Sequence, residues 1–134
     1  MDKTDKSTII KAFNTVFFEF IDDILTILPE NRDIYESKLT FQTIKQANPT
    51  TIIKLWFTHI YKPYQQMIDN GDLAYFIYKN YQEDVSSLKH SDKVIKIIET
   101  LRNPISNMSN TNKDICMVYI RNLSKLSEIY ALKV

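Results

Sequence analysis

Ile10, Phe13, Phe17, Phe20, Ile24 and Ile27 follow one another at intervals of 3, 4, 3, 4 and 3 residues, while Glu19, Asp22, Asp23 and Thr26 fall largely on the opposite side. An unbroken apolar stripe at that period predicts an amphipathic helix over residues 7–28, capped by Ser7 or Thr8 and stopped by Pro29. A second helix is predicted over residues 33–46, with Ile34, Leu39, Phe41 and Ile44 as core contacts and Asp33 and Glu36 near its N-terminal end. Asn48-Pro49 then reads as an N-cap followed by a first helical residue, where the missing proline N–H costs nothing. The third helix carries Ile53, Trp56, Ile60, Tyr64, Met67 and Ile68.

Pro63 falls inside that third pattern. Its ring collides with the carbonyl of His59 and it has no N–H to donate, so the helix is expected to kink or split there. Asn70-Gly71-Asp72 marks the stop, with Gly71 as the left-handed residue beyond the helix and Asp72 capping a short segment over residues 73–78. Residues 80–91 are the longest polar stretch and read as a loop. Ser91 or Asp92 caps a fifth helix built on Val94, Ile98 and Leu101, which ends before Pro104. After a polar linker over residues 106–112, the last helix runs over residues 113–131, with Cys116, Tyr119, Leu123, Leu126 and Tyr130 as its stripe.

Composition supports the pattern and changes it little. Only one glycine occurs in 134 residues, no Asn-Gly hairpin signal separates alternating strands, and a glycine-rich phosphate loop cannot be built. The expected fold is all-α, a single compact bundle of five or six helices with one kinked or split at Pro63. It spans residues 1–134, residues 1–6 forming a disordered N-terminal tail, and the first and last long helices are its main packed pair. A chain of this length buries roughly two thirds of its unfolded surface, enough for one core. Lys and Arg number 17 against 16 acidic residues, so no basic footprint for general nucleic-acid or membrane binding is present. Charges interrupt every apolar run, so no membrane span is expected. The single cysteine and the polar start of the chain predict a reducing compartment. Abundant Ile, Lys, Asn and Tyr with scarce Ala, Gly, Pro and Arg indicate an A+T-rich gene.

Candidate chemistry is sparse. Glu19, Asp22 and Asp23 could gather a divalent cation, but the Glu-x-x-His pairs of a di-metal bundle are missing, and a solvated helix face accounts for the acids. His59 and His90 have no cysteine or acid at metal-ligand spacing, so neither a metal nor another cofactor is expected. Cys116 with His59 would be a nucleophile and base, yet Cys116 occupies a stripe position that predicts a buried, inert thiol. No enzyme is expected. The surplus lies in the aromatic middle of the chain, where Trp56, Tyr61, Tyr64, Phe76 and Tyr81 either fill the core or anchor a protein partner around the Pro63 bend. An alternative is nucleic-acid binding through Lys89, Lys93 and Lys96, interleaved with Asp92 and Glu99.

The chain also resembles a family of small uncharacterised proteins of giant viruses, the nucleocytoplasmic large DNA viruses. The matching elements are FFEFIDD over residues 17–23, Ala47-Asn48-Pro49, Ile53-Lys54-Leu55-Trp56, the pair Tyr61 and Tyr64, Gly71-Asp72 with Phe76 and Tyr81, and Leu101-Arg102-Asn103-Pro104. Tyr119-Ile120-x-Asn122-Leu123-x-x-Leu126 completes the set. The resemblance carries no catalytic residue. It implies a protein made in the cytoplasm of an infected cell, packaged in the virion or left outside it, with a viral or host protein as partner. On this reading the protein is a non-enzymatic interaction protein, and its oligomeric state is left open.

Overall fold

The computed structural model describes residues 5–71 and 104–133. Among these the chain is helical with no strand: α1 Lys6–Ile27, α2 Arg32–Ala47, α3 Thr51–Leu55, a π-helical segment Trp56–Tyr61, α4 Lys62–Asp69 and α5 Asn110–Leu132. One α-helical turn lies over residues 104–106. The segment, loop and fifth helix expected between residues 72 and 101 lie outside the described residues. No helix among the described residues is long and apolar enough to cross a membrane.

Each long helix starts on a side chain that satisfies an otherwise orphaned N–H. Asp5 accepts from the Thr8 amide at 2.8 Å, Asn31 from Ile34 at 3.0 Å, and Ser109 from Asn112 at 3.2 Å. The three helices begin one to three residues before the starts expected from the sequence. Asp5 and Lys6, assigned to a disordered tail, instead form the start of α1, because a carboxylate caps at least as well as the Ser7 or Thr8 hydroxyl. Likewise, part of the polar linker before the last helix is helix start, since Ser109 holds it. Asn48 does accept from the Thr50 amide at 3.0 Å, but its side chain also takes the Thr50 hydroxyl at 2.7 Å, and α3 begins at Thr51. Gly71 has φ +73, the left-handed residue expected after α4.

α1 and α5 make the most extensive interhelical contact among the described residues. From α1, Ile9, Phe13, Phe17, Phe20, Ile21 and Ile24 are buried, and from α5, Cys116, Met117, Ile120 and Leu123. Phe17 lies at the centre. Its ring meets Phe13 stacked at 6.1 Å and contacts Phe18, Phe41 and Trp56 edge-on at 5.4, 4.7 and 6.3 Å, so α1, α2 and the π-helical segment converge on one side chain. Asn14 joins them by a polar link, donating from Nδ2 to the Pro49 carbonyl at 3.0 Å while buried on the same face of α1. Leu39, expected in the core, is 46% exposed, because α2 turns Ile34 and Phe41 inward and leaves Leu39 beside Tyr35 on its outer surface.

The Pro63 expectation is met in a particular way. The bend is distributed over Trp56–Tyr61, where the backbone widens to i→i+5 bonding, closed by the Lys62 N–H donating to the Phe57 carbonyl. Tyr64 then departs from helical angles at φ −120, ψ 22. A wider turn moves the preceding carbonyls away from the proline ring, which a regular α-turn would not allow.

Phe17→Ala is therefore expected to cost about 3–5 kcal/mol in urea denaturation, since it removes a ring packed on four others. Asp22→Ala, which loses only a partly exposed 2.7 Å contact with Lys38, should cost less than about 1 kcal/mol in the same assay.

Candidate functional site

The aromatic residues around the bend face inward. Trp56, Tyr61 and Tyr64 are 4%, 3% and 3% exposed, which corrects their assignment as anchors for a partner: they belong to the core. The physical reason is the widened turn. In an i→i+5 segment, residues five apart share a face, so Trp56 and Tyr61 point together towards α5, where a 3.6-residue period would place them apart. Phe76 and Tyr81, and the lysines of the nucleic-acid alternative, Lys89, Lys93 and Lys96, lie outside the described residues.

Trp56 approaches α5 closely because that helix presents small side chains there. Its indole N–H donates to the Ser124 hydroxyl at 2.9 Å, and the Ser127 hydroxyl donates to the Ser124 carbonyl at 2.7 Å, both serines being fully enclosed. One turn on, the Tyr61 hydroxyl lies 2.9 Å from Glu128 Oε2 and 3.1 and 3.2 Å from the two Asp69 oxygens. Its single proton serves one carboxylate at a time. Burial, then the bonds to Glu128 and Asp69, hold the phenol well above its usual range, so it remains a donor and offers no base.

Asp69 of that cluster also lines an open groove of about 250 Å³, together with Val118, Arg121, Asn122 and Lys125. Lys125 Nζ stands 3.9 Å from Glu128 Oε1. The groove opens onto the outer face of α5, where Ile115, Val118 and Leu132 are 44%, 58% and 75% exposed. Sequence reading followed the inner stripe of this helix and passed over the outer one. The signal was present: Ile115, Val118, Asn122, Lys125, Ile129 and Leu132 have their own 3, 4, 3, 4, 3 spacing.

Other candidate groups are engaged elsewhere. Cys116 is buried with its sulfur 3.7 Å from that of Met108, and burial together with the nearby Asp23 charge pushes its thiol up to about 11. Such a thiol is a poor nucleophile at neutral pH. Partial burial lowers the His59 pKa from its usual value. Of the three acids on α1, Asp22 pairs with Lys38, and Asp23 accepts from the Tyr119 hydroxyl, whose ring stacks on Phe20 at 5.1 Å. Among the described residues no three potential ligands gather in metal-binding geometry.

Comparison with protein-family models, curated proteins and solved structures gives no match.

The Tyr119 contact makes a pH prediction. The hydrogen bond to Asp23, with burial second, raises the phenol to about 12 from the ordinary 10.0. The unfolded chain therefore releases this proton first, so the contribution is complete below pH 10 and is lost as pH rises towards 12. Thermal denaturation followed from pH 8 to pH 12 should show the wild type losing stability faster than Tyr119→Phe, which keeps the ring stacking. Parallel curves would refute the coupling.

Proposed function

We propose that the protein is a non-enzymatic, helical interaction protein that binds a protein partner through the outer face of α5. The observation that carries this reading is the alignment of Ile115, Val118 and Leu132, all exposed, along one ridge beside a groove holding Arg121, Asn122, Lys125 and Asp69. Isolated exposed apolar side chains are ordinary on soluble domains, whereas several on one helix face, set about a polar centre and rimmed by charge, have the composition of a contact surface. Burying such a run contributes about 25 cal/mol per Å² of apolar area, and the rim charges provide orientation.

Tyr61 is held protonated, and the Cys116 thiol is buried with a raised pKa. On the resemblance to giant-virus proteins, the partner is a viral or host protein of the infected cell. The anchors of this surface differ from the aromatic set around Pro63: they are aliphatic and sit on the last helix.

A photo-cross-linking amino acid placed at position 118 tests the reading in the cells that make the protein. Position 118 should yield adducts heavier than the 15.8 kDa chain, and position 42, an exposed glutamine on α2, should yield none above background. Equal adducts at both positions, or none at 118, would show that the α5 face is ordinary surface.

A further inference from the structure

We infer that the partner of the outer α5 face is a second copy of this chain, packed antiparallel about a two-fold axis between Asn122 and Lys125. This rests on the reading that the face binds protein and adds which protein it binds. The outer stripe runs Ile115, Val118, Asn122, Lys125, Ile129, Leu132, and its spacing of 3, 4, 3, 4, 3 reads the same from either end. Its chemistry does too: two apolar residues, two polar ones, two apolar ones. Ile115, Val118, Asn122, Lys125 and Leu132 are exposed, and Ile129 is half-buried at the edge of the core.

An isologous contact requires a surface complementary to itself under rotation. Two α5 helices running oppositely set Ile115 against Leu132 of the partner subunit and Val118 against Ile129 of the partner subunit. At the centre, Asn122 faces Lys125 of the partner subunit, where the amide oxygen can accept from the ammonium. At the ends, Asp114 comes opposite Lys133 of the partner subunit, joining unlike charges. The seam covers about 26 Å of helix at 1.5 Å per residue and follows the heptad spacing of a short coiled coil.

The same stripe disfavours a parallel pair. In-register parallel helices would set Lys125 against Lys125 of the partner subunit and Asp114 against Asp114 of the partner subunit, like charge on like charge. Opposed helices also align their macrodipoles favourably. Arg121 adds positive charge near the axis, and Asp69 and Glu128, held beside the groove by the Tyr61 hydroxyl, supply the compensating carboxylates. The polar centre selects register and direction while the apolar ends supply the contact area.

Sedimentation equilibrium on the purified full chain tests the inference. The weight-average mass should rise from 15.8 kDa to about twice that value as concentration rises from about 1 µM to about 1 mM, the range in which a short seam associates. Val118→Glu should stay at the monomer mass throughout, with an unchanged helical circular-dichroism spectrum because the position is exposed. Orientation is read by mixing Asn122→Cys with Lys125→Cys under mild oxidation: the mixed disulfide should exceed both homodisulfides. A wild type that remains monomeric overturns the inference, as does a dimer indifferent to Val118→Glu, or a homodisulfide excess, which would mean parallel helices. If the wild type is monomeric yet position 118 still cross-links to another protein, the binding face stands and only the second copy is wrong. A cross-link from 118 into residues 72–103 of the same chain would overturn both.

Discussion

Pro63 is the constraint on which the middle of the molecule depends. A proline there removes a donor and fills the space of a carbonyl, and the chain answers by widening the six residues Trp56–Tyr61 into π-helical bonding. That widening has a packing consequence larger than its backbone cost. It turns Trp56 and Tyr61 to the same side, so one hydrogen-bonds Ser124 and the other reaches Glu128, two points four residues apart on α5. A straight α-helix over the same residues would rotate one of the two rings off that helix. The bend thus fixes how α5 is held.

α5 in turn has two faces of different character. Inward it offers Cys116, Ile120, Leu123 and the two serines, small enough at 124 and 127 for the indole to approach closely. Ser124 is satisfied by that approach, since a buried hydroxyl without a partner would cost about 1–3 kcal/mol, and the indole N–H supplies the bond. Outward it presents aliphatic residues with a polar centre. A helix apolar on two sides gains from burying both, and only the inner side is covered by the described core.

Much of this was legible in the residues and some was not, for identifiable reasons. The stripe from Phe13 to Ile24 and the stop at Gly71 follow from periodicity and backbone sterics, which are local properties. Between core and interface, the residues left the aromatic middle undecided: Trp56 and Tyr64 fit the apolar spacing of their helix, whereas Tyr61 joins them in the core because the widened turn brings it to the side of Trp56. Proline signals that a helix must adjust but not how, because kink, split and π-turn all relieve the same clash. Leu39 is apolar within a helix whose stripe is sparse, and the face of α2 that turns inward carries Ile34 and Phe41 and leaves Leu39 outside. The outer α5 stripe was plain in the spacing, but a helix carrying two such stripes gives no local sign of which one turns inward. That choice is made by Ser124 and Ser127, whose small side chains admit Trp56, and by Tyr119, whose ring meets Phe20.

The polar cluster at the groove shows how core and surface are connected. Tyr61 is buried, while of the carboxylates it contacts Asp69 lines an open groove and Glu128 stands beside Lys125, which lines it too. Two acids brought near one hydroxyl repel each other unless the proton and nearby cations offset the charge, and Lys125 stands beside Glu128 for that purpose. Glu128 and Asp69 therefore face Arg121 and Lys125 from fixed positions, with less side-chain freedom than free surface acids have. A binding surface whose charges are already oriented loses less entropy on association than one that must order them. In this molecule that ordering originates in the core: a proline sets the turn, the turn directs a tyrosine, and the tyrosine holds the acids beside the outer face of α5.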